Sequence, residues 1–181
     1  SGDFKKHSVC YFMEPLMRDL DRSKFEVYLY YVGTKHDEFT ARCKAFADKW
    51  TELRPQKAFV PQIRKDELDV AFDLGGHTSH HLTFFTHRIA PVQIVYMGYP
   101  APTGLTRMDY RFTDELADPV GYDRWYTEKL VRLPGISWTY KPYENLPPVS
   151  ASPHEHNGYI TFGSFNNFMK MSDGQLRDWV R

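Results

Sequence analysis

The chain has 181 residues, enough for one domain with a sizeable core, or for one domain and a piece of a second. Apolar residues make up 41% and charged residues 25%, which excludes an intrinsically disordered chain; 23 Lys and Arg balance 23 Asp and Glu, which removes the basic footprint of a nucleic-acid binder. No run of about 18 apolar residues is present to cross a membrane, and two cysteines, Cys10 and Cys43, are too few for a disulfide framework and suit a reducing compartment, the cytoplasm.

Val9, Phe12, Met13, Leu16 and Leu20 recur at helical spacing and predict a first helix, with Ser8 as its N-cap. Phe25–Val32 is a β-branched and aromatic run, predicted as a buried strand. Phe39–Trp50 reads as a second helix and Ala58–Glu67 as a third, interrupted by Pro61. Val70–Leu74 is the next strand and ends in Gly75-Gly76; His80–Arg88 reads as helical. Val92–Met97 and Tyr110–Phe112 are further strands. Strands alternating with helices predict a mainly parallel α/β sheet over residues 1–144. Asn145–Pro153, with three prolines and two serines, opens a linker over 145–158. Residues 159–181 read as the opening βα unit of a second domain: a strand at Tyr159–Phe162, a loop over Gly163–Met171, and a helix capped by Ser172. Ser1–Asp3 reads as the loop after a first strand, so the chain reads as a segment of something longer.

Ligands of open α/β sheets sit beyond the carboxyl ends of the strands. Asp3–His7, Gly75–Thr78, Gly98–Gly104 and Gly163–Lys170 fall in such positions, each with small residues and a polar group. Lys170, ahead of the last helix, suits an anion, because an ammonium and helix-terminal amides both favour phosphate. His7, at the start of the first helix, suits a neutral imidazole acting as hydrogen-bond partner or base. His77, His80, His81 and His87 include helical ligand spacings, but no cysteine lies close and Asp73 precedes them on a strand, so no metal is expected. P-loop, G-x-G-x-x-G and G-x-S-x-G motifs are absent.

Six segments, in order along nearly the whole chain, carry a family resemblance: 2–16 (GDFKKHSVCYFMEPL), 73–78 (DLGGHT), 90–105 (APVQIVYMGYPAPTGL), 108–119 (MDYRFTDELADP), 128–134 (EKLVRLP) and 159–170 (YITFGSFNNFMK). Together they resemble the catalytic region of the protein O-GlcNAc transferase family, in particular its Spindly-type and bacterial members. The resemblance implies a GT-B glycosyltransferase: a Rossmann-like N-terminal half, here without its first strand, and the start of a C-terminal nucleotide-binding half, with tetratricopeptide repeats upstream. It implies inverting transfer of GlcNAc from UDP-GlcNAc to Ser/Thr hydroxyls of protein acceptors, with no metal and no other cofactor. Relatives that use GDP-fucose, or that glucosylate Asn, are the alternatives, and a non-catalytic protein-binding module is the alternative of another class. By position, the family's active-site histidine matches His7 and its pyrophosphate-binding lysine matches Lys170. Gly98, Tyr99, Pro100 and Thr103 match the pocket wall around donor sugar and acceptor, Phe165, Asn166 and Asn167 match a stretch shaping the nucleotide site, and His77 either binds there or braces the strand end. The pocket loop departs from its relatives at Ala101-Pro102-Thr103-Gly104, and the family's usual Pro after the histidine is Ser8 here, as in the Spindly type. A segment with only the opening of the second half is expected to be inactive alone.

Overall fold

The computed structural model describes residues 1–54, 59–143 and 145–180, so the predicted helix start at Ala58 lies outside the described residues. The chain divides into two compact units, Ser1–Pro142 and Tyr143–Arg181. No helix among the described residues is long and apolar enough to cross a membrane.

In the first unit, strands and helices alternate: α1 (Ser8–Asp19), β1 (Tyr28–Tyr31), α2 (Glu38–Ala45), β2 (Lys49–Glu52), α3 (Phe59–Arg64), β3 (Val70–Asp73), β4 (Val92–Tyr96), β5 (Tyr110–Thr113) and β6 (Lys129–Arg132). Every recorded ladder is parallel, in two sheets, β1-β2 and β3-β4-β5-β6. The expected α/β class is therefore present. β1 and β3 are not paired with each other; Ser1 instead runs beside the end of β1, its amino group donating to Tyr30 O (2.9 Å) and its carbonyl accepting from Val32 N–H (3.1 Å).

Several predicted elements change type or extent. The helix expected over Phe39–Trp50 stops at Ala45, and Lys49–Glu52 is a strand in register with Tyr28–Tyr31. Trp50 there packs against the rings of Phe4 and Tyr31, at 6.0 and 5.3 Å, and this burial outweighs weak local helix preference. Pro61 does not interrupt α3: it is the third residue, where a missing N–H costs no intrahelical bond. His80–His87 is 3-10 rather than α, with Ser79 Oγ accepting from His81 N–H (3.2 Å). The N-cap of α1 is His7, not Ser8. Its buried face is Val9, Cys10, Met13, Glu14 and Met17, rotated from the apolar spacing because α2 packs beside it. Arg42 pairs with the buried Glu14, and Cys10 and Cys43 meet with Sγ atoms 3.1 Å apart.

The core lies on one face of the larger sheet, where Ala71 and Val95 meet Ile63, Leu82, Phe85, Ile89 and Met108. The other face carries an aromatic cluster of Phe72, Tyr96 and Phe112, with ring centroids 5.8–6.5 Å apart.

The second unit contains α4 (Pro153–Asn157), one 3-10 turn at Phe168–Lys170 and α5 (Asp173–Val180). α4 falls inside the segment read as linker. The strand expected at Tyr159–Phe162 does not form: a strand needs a neighbour for its amides and carbonyls, and no described residue supplies one.

Candidate functional site

Two turns of the first unit, residues 74–79 and 97–105, meet beyond the carboxyl ends of β3 and β4, against the first turn of α1. Two glycines permit the approach. At Gly98 a Cβ would stand 1.8 Å from Leu74 O and 2.9 Å from Val9 Cγ2, so the turns after β3 and β4 and the first turn of α1 close on a bare Cα. At Gly76, φ is +48° and a Cβ would stand 2.3 Å from the Tyr99 ring. Met97, just before Gly98, is itself left-handed with φ of 69°, a conformation that costs a non-glycine residue about 1–2 kcal/mol. Such strain is concentrated at functional sites. Asp73 ends β3 and accepts from Gly76 N–H (2.7 Å); burial pushes its carboxyl above the usual range, against those amide bonds.

His77 is exposed and packs edge-on to Tyr99, with ring centroids 5.4 Å apart. Its Nε2 lies 2.7 Å from Thr103 O. A carbonyl only accepts, so Nε2 carries the proton and Nδ1 holds the lone pair whenever the ring is neutral. Thr103 is 3% exposed and turns its hydroxyl inward, to Glu128 Oε1, which also accepts from Thr103 N–H (2.7 Å). This position thus presents its carbonyl, not its hydroxyl. Tyr99 O accepts from Arg111 Nη1 (2.7 Å), and Arg111 pairs with buried Asp118 (3.2 Å). Burial opposes ionisation of Asp118, but hydrogen bonds from Thr113, Tyr126 and Arg111 prevail and hold its carboxyl below the usual range. Pro100, Arg111, Thr113, Asp118 and Trp138 line a cavity of about 290 Å³ beneath this loop.

His7 Nδ1 accepts from Val9 N–H at 3.2 Å, closing the first turn of α1. That bond uses the Nδ1 lone pair, so neutral His7 presents Nε2–H, a donor. His7 and His77 therefore offer opposite hydrogen-bonding character.

In the second unit, Asn167 Oδ1 accepts from Met169 N–H (3.1 Å) and shapes the turn that carries Lys170. Ser172 Oγ accepts from Gln175 N–H (3.2 Å), the expected cap of α5. Asn166 bonds Ser164, and Phe165 and Lys170 are exposed.

The structure thus gathers His77, Gly98, Tyr99 and Thr103 into one cluster, with Pro100 on its loop and His7 two residues before Val9, which packs against Gly98. It places Phe165, Asn166, Asn167 and Lys170 together in the second unit. Sequence reasoning passed over Glu128 and Arg111. Arg111 carried a signal, a charge inside the apolar strand YRFT; Glu128, in a polar stretch before β6, carried none.

Residues 1–140 match the family model of glycosyl transferase family 41. The chain is 39% identical over 191 aligned residues to the Arabidopsis thaliana protein named probable UDP-N-acetylglucosamine–peptide N-acetylglucosaminyltransferase SPINDLY, a match covering 100% of this chain and 21% of that protein. It is 28% identical to the Arabidopsis thaliana relative SEC, which carries the same enzyme name, over 99% of this chain and 20% of that one. Among solved structures, a mutant O-GlcNAc transferase of Thermobaculum terrenum superposes with a TM-score of 0.80 and 34% identity, covering 84% of this chain and 30% of that one. The chain spans about a fifth of the length of the curated relatives it matches.

Proposed function

The chain belongs to glycosyl transferase family 41 and shares the GT-B glycosyltransferase fold, and from that premise we propose that the protein carrying it transfers GlcNAc from UDP-GlcNAc to Ser and Thr hydroxyls of proteins, with inversion and without a metal. The observation that carries this reading is the 39% identity over the whole chain, through the segment of Lys170, to a relative named for that transfer.

The chemistry asked of the residues is limited. Breaking the sugar–phosphate bond builds charge on the departing diphosphate. Lys170 supplies a cation for it, on a turn shaped by Asn167 ahead of α5, and a charge placed where charge develops lowers the barrier more than it tightens ground-state binding. His7 holds an oxygen through Nε2–H. The loop 98–104 bounds sugar and acceptor, with Tyr99 held by Arg111 and Thr103 by Glu128. The cytoplasm is the compartment that fits a protein acceptor and two reduced cysteines.

Lys170→Ala in the full-length protein tests the reading. Removing one such stabilising group costs on the order of 10²–10³ in kcat, with an unchanged melting temperature because Lys170 is exposed. Transfer retained above about a tenth of the wild-type rate removes Lys170 from the mechanism.

A further inference from the structure

We propose that Glu128 is a positioning residue that, through Thr103, sets His77 as a hydrogen-bond acceptor for a hydroxyl of donor sugar or protein acceptor. The role in transfer rests on the function proposed above; the link itself does not.

Three observations converge. First, every polar group of Thr103 is committed. Its N–H and hydroxyl both go to Glu128 Oε1, its hydroxyl oxygen also accepts from Leu105 N–H (3.3 Å), and its carbonyl faces His77 Nε2. The carbonyl can shift only if the Glu128 bonds shift with it. Second, Glu128 is 3% exposed, its other oxygen accepts from Thr127 Oγ1 (3.2 Å), and among the described residues no Lys or Arg forms an ion pair with it. A buried carboxylate without an ion-pair partner is costly unless its hydrogen bonds hold it, and both bonds to Glu128 Oε1 come from one pocket-loop residue, Thr103. Third, Nδ1 of the exposed His77 has no partner among the described residues, while Nε2 is anchored and the ring is braced against Tyr99. This is the logic of any oriented imidazole: a fixed acceptor on one nitrogen selects the tautomer and leaves the other to act. His7 cannot fill that place, because its acceptor nitrogen caps α1.

The test uses the full-length protein with Glu128→Ala, Glu128→Gln, His77→Ala and the double variant E128A/H77A, beside Lys170→Ala. Glu128→Gln keeps an acceptor for Thr103 and a hydrogen-bonding group for Thr127, so it separates geometry from fold. Glu128→Ala and His77→Ala are each expected to lower kcat at least tenfold with KM for UDP-GlcNAc within about threefold. The double variant falls no lower than the worse single one, and Glu128→Gln recovers a third or more of wild-type kcat. Multiplicative losses in the double variant, or wild-type kcat in Glu128→Ala while Lys170→Ala is inactive, overturn the proposal. If Lys170→Ala is also fully active, only the role given to Lys170 has failed; if the wild type transfers no GlcNAc from UDP-GlcNAc, the proposed function has failed instead, and the link is then decided without activity. Nitrogen-15 NMR of ring-labelled histidine reads the tautomer: the His77 proton sits on Nε2 in the wild type and Glu128→Gln, and averages between nitrogens in Glu128→Ala. An unchanged His77 signal in Glu128→Ala overturns the link.

Discussion

Single side chains in this site do two jobs, one structural and one chemical, and the hydrogen bonds separate them. His7 spends one nitrogen on the helix and offers the other as a donor. Thr103, expected to face the ligand, spends its hydroxyl on the interior. Asp114 shows the same economy after β5. It accepts from Ser137 N–H (2.8 Å), Ser137 Oγ (2.7 Å), Ala117 N–H (2.9 Å) and Leu116 N–H (3.0 Å). The Ser137 and Ala117 amide bonds, followed by the Ser137 hydroxyl, hold its carboxyl down at about 2 against an ordinary 3.8. A carboxyl whose pKa is lower folded than unfolded stabilises above the unfolded value and loses that contribution as the pH falls toward the folded one. The melting temperature should therefore drop between pH 4 and 2. Asp114→Asn should start lower at pH 7 and fall less steeply through that window. Parallel melting curves of the two proteins against pH would show that Asp114 does not couple to folding.

At the scale of elements, the cluster exists because β3 and β4 end at the same level and their turns interlock. Gln93, completely buried in β4, helps hold that arrangement: it accepts from Ile89 N–H (2.8 Å) and donates to Phe85 O (2.9 Å) and Arg107 O (2.6 Å). One side chain thus ties the segments on either side of β4 to it. The glycines of the turns are not equivalent. Gly98 is bound by space, since its Cβ would meet a backbone oxygen that cannot swing aside, whereas Gly104 has a φ of +72° and nothing within 4 Å. Gly98→Ala should cost at least the roughly 1–3 kcal/mol typical of overpacking, and Gly104→Ala only about 1 kcal/mol of backbone strain. Chemical denaturation of both variants checks the order. Equal losses would mean that the turns do not pack as closely as the distance from Gly98 to Leu74 indicates.

For the whole molecule, the two units differ in what they bury. The first holds the core residues and the sheets. In the second, every described residue from 145 to 180 is exposed except Met171 and Leu176, which are half-buried. Phe162, Phe165, Met169 and Val180 are close to fully open. Local opening is governed by buried contacts and protected hydrogen bonds. Amide hydrogen exchange of the 181-residue chain should therefore show β4 and β5 protected and residues 145–180 exchanging fastest. Protection of α5 comparable to β4 would contradict this. The chain also spans about a fifth of its curated relatives, so the activity proposed here is that of the longer protein.

The sequence by itself determined the α/β class, the order of most elements, the Ser172 cap and the loops on which the candidate residues lie. These are local properties. Apolar periodicity, β-branched runs and paired glycines act over a few residues and keep their meaning wherever the segment is placed. Tertiary structure decided what depends on partners distant in the chain. Lys49–Glu52 is a strand because β1 is beside it, and Tyr159–Phe162 is not one because no described residue pairs with it. α1 buries Cys10 and Glu14 because α2 brings Cys43 and Arg42. The protonation pattern of His77 is set by Thr103, 26 residues away, and Thr103 is held by Glu128, a further 25 residues on. A hydrogen bond between such residues has no period in the sequence, because its donor and acceptor meet only after the strands between them have paired.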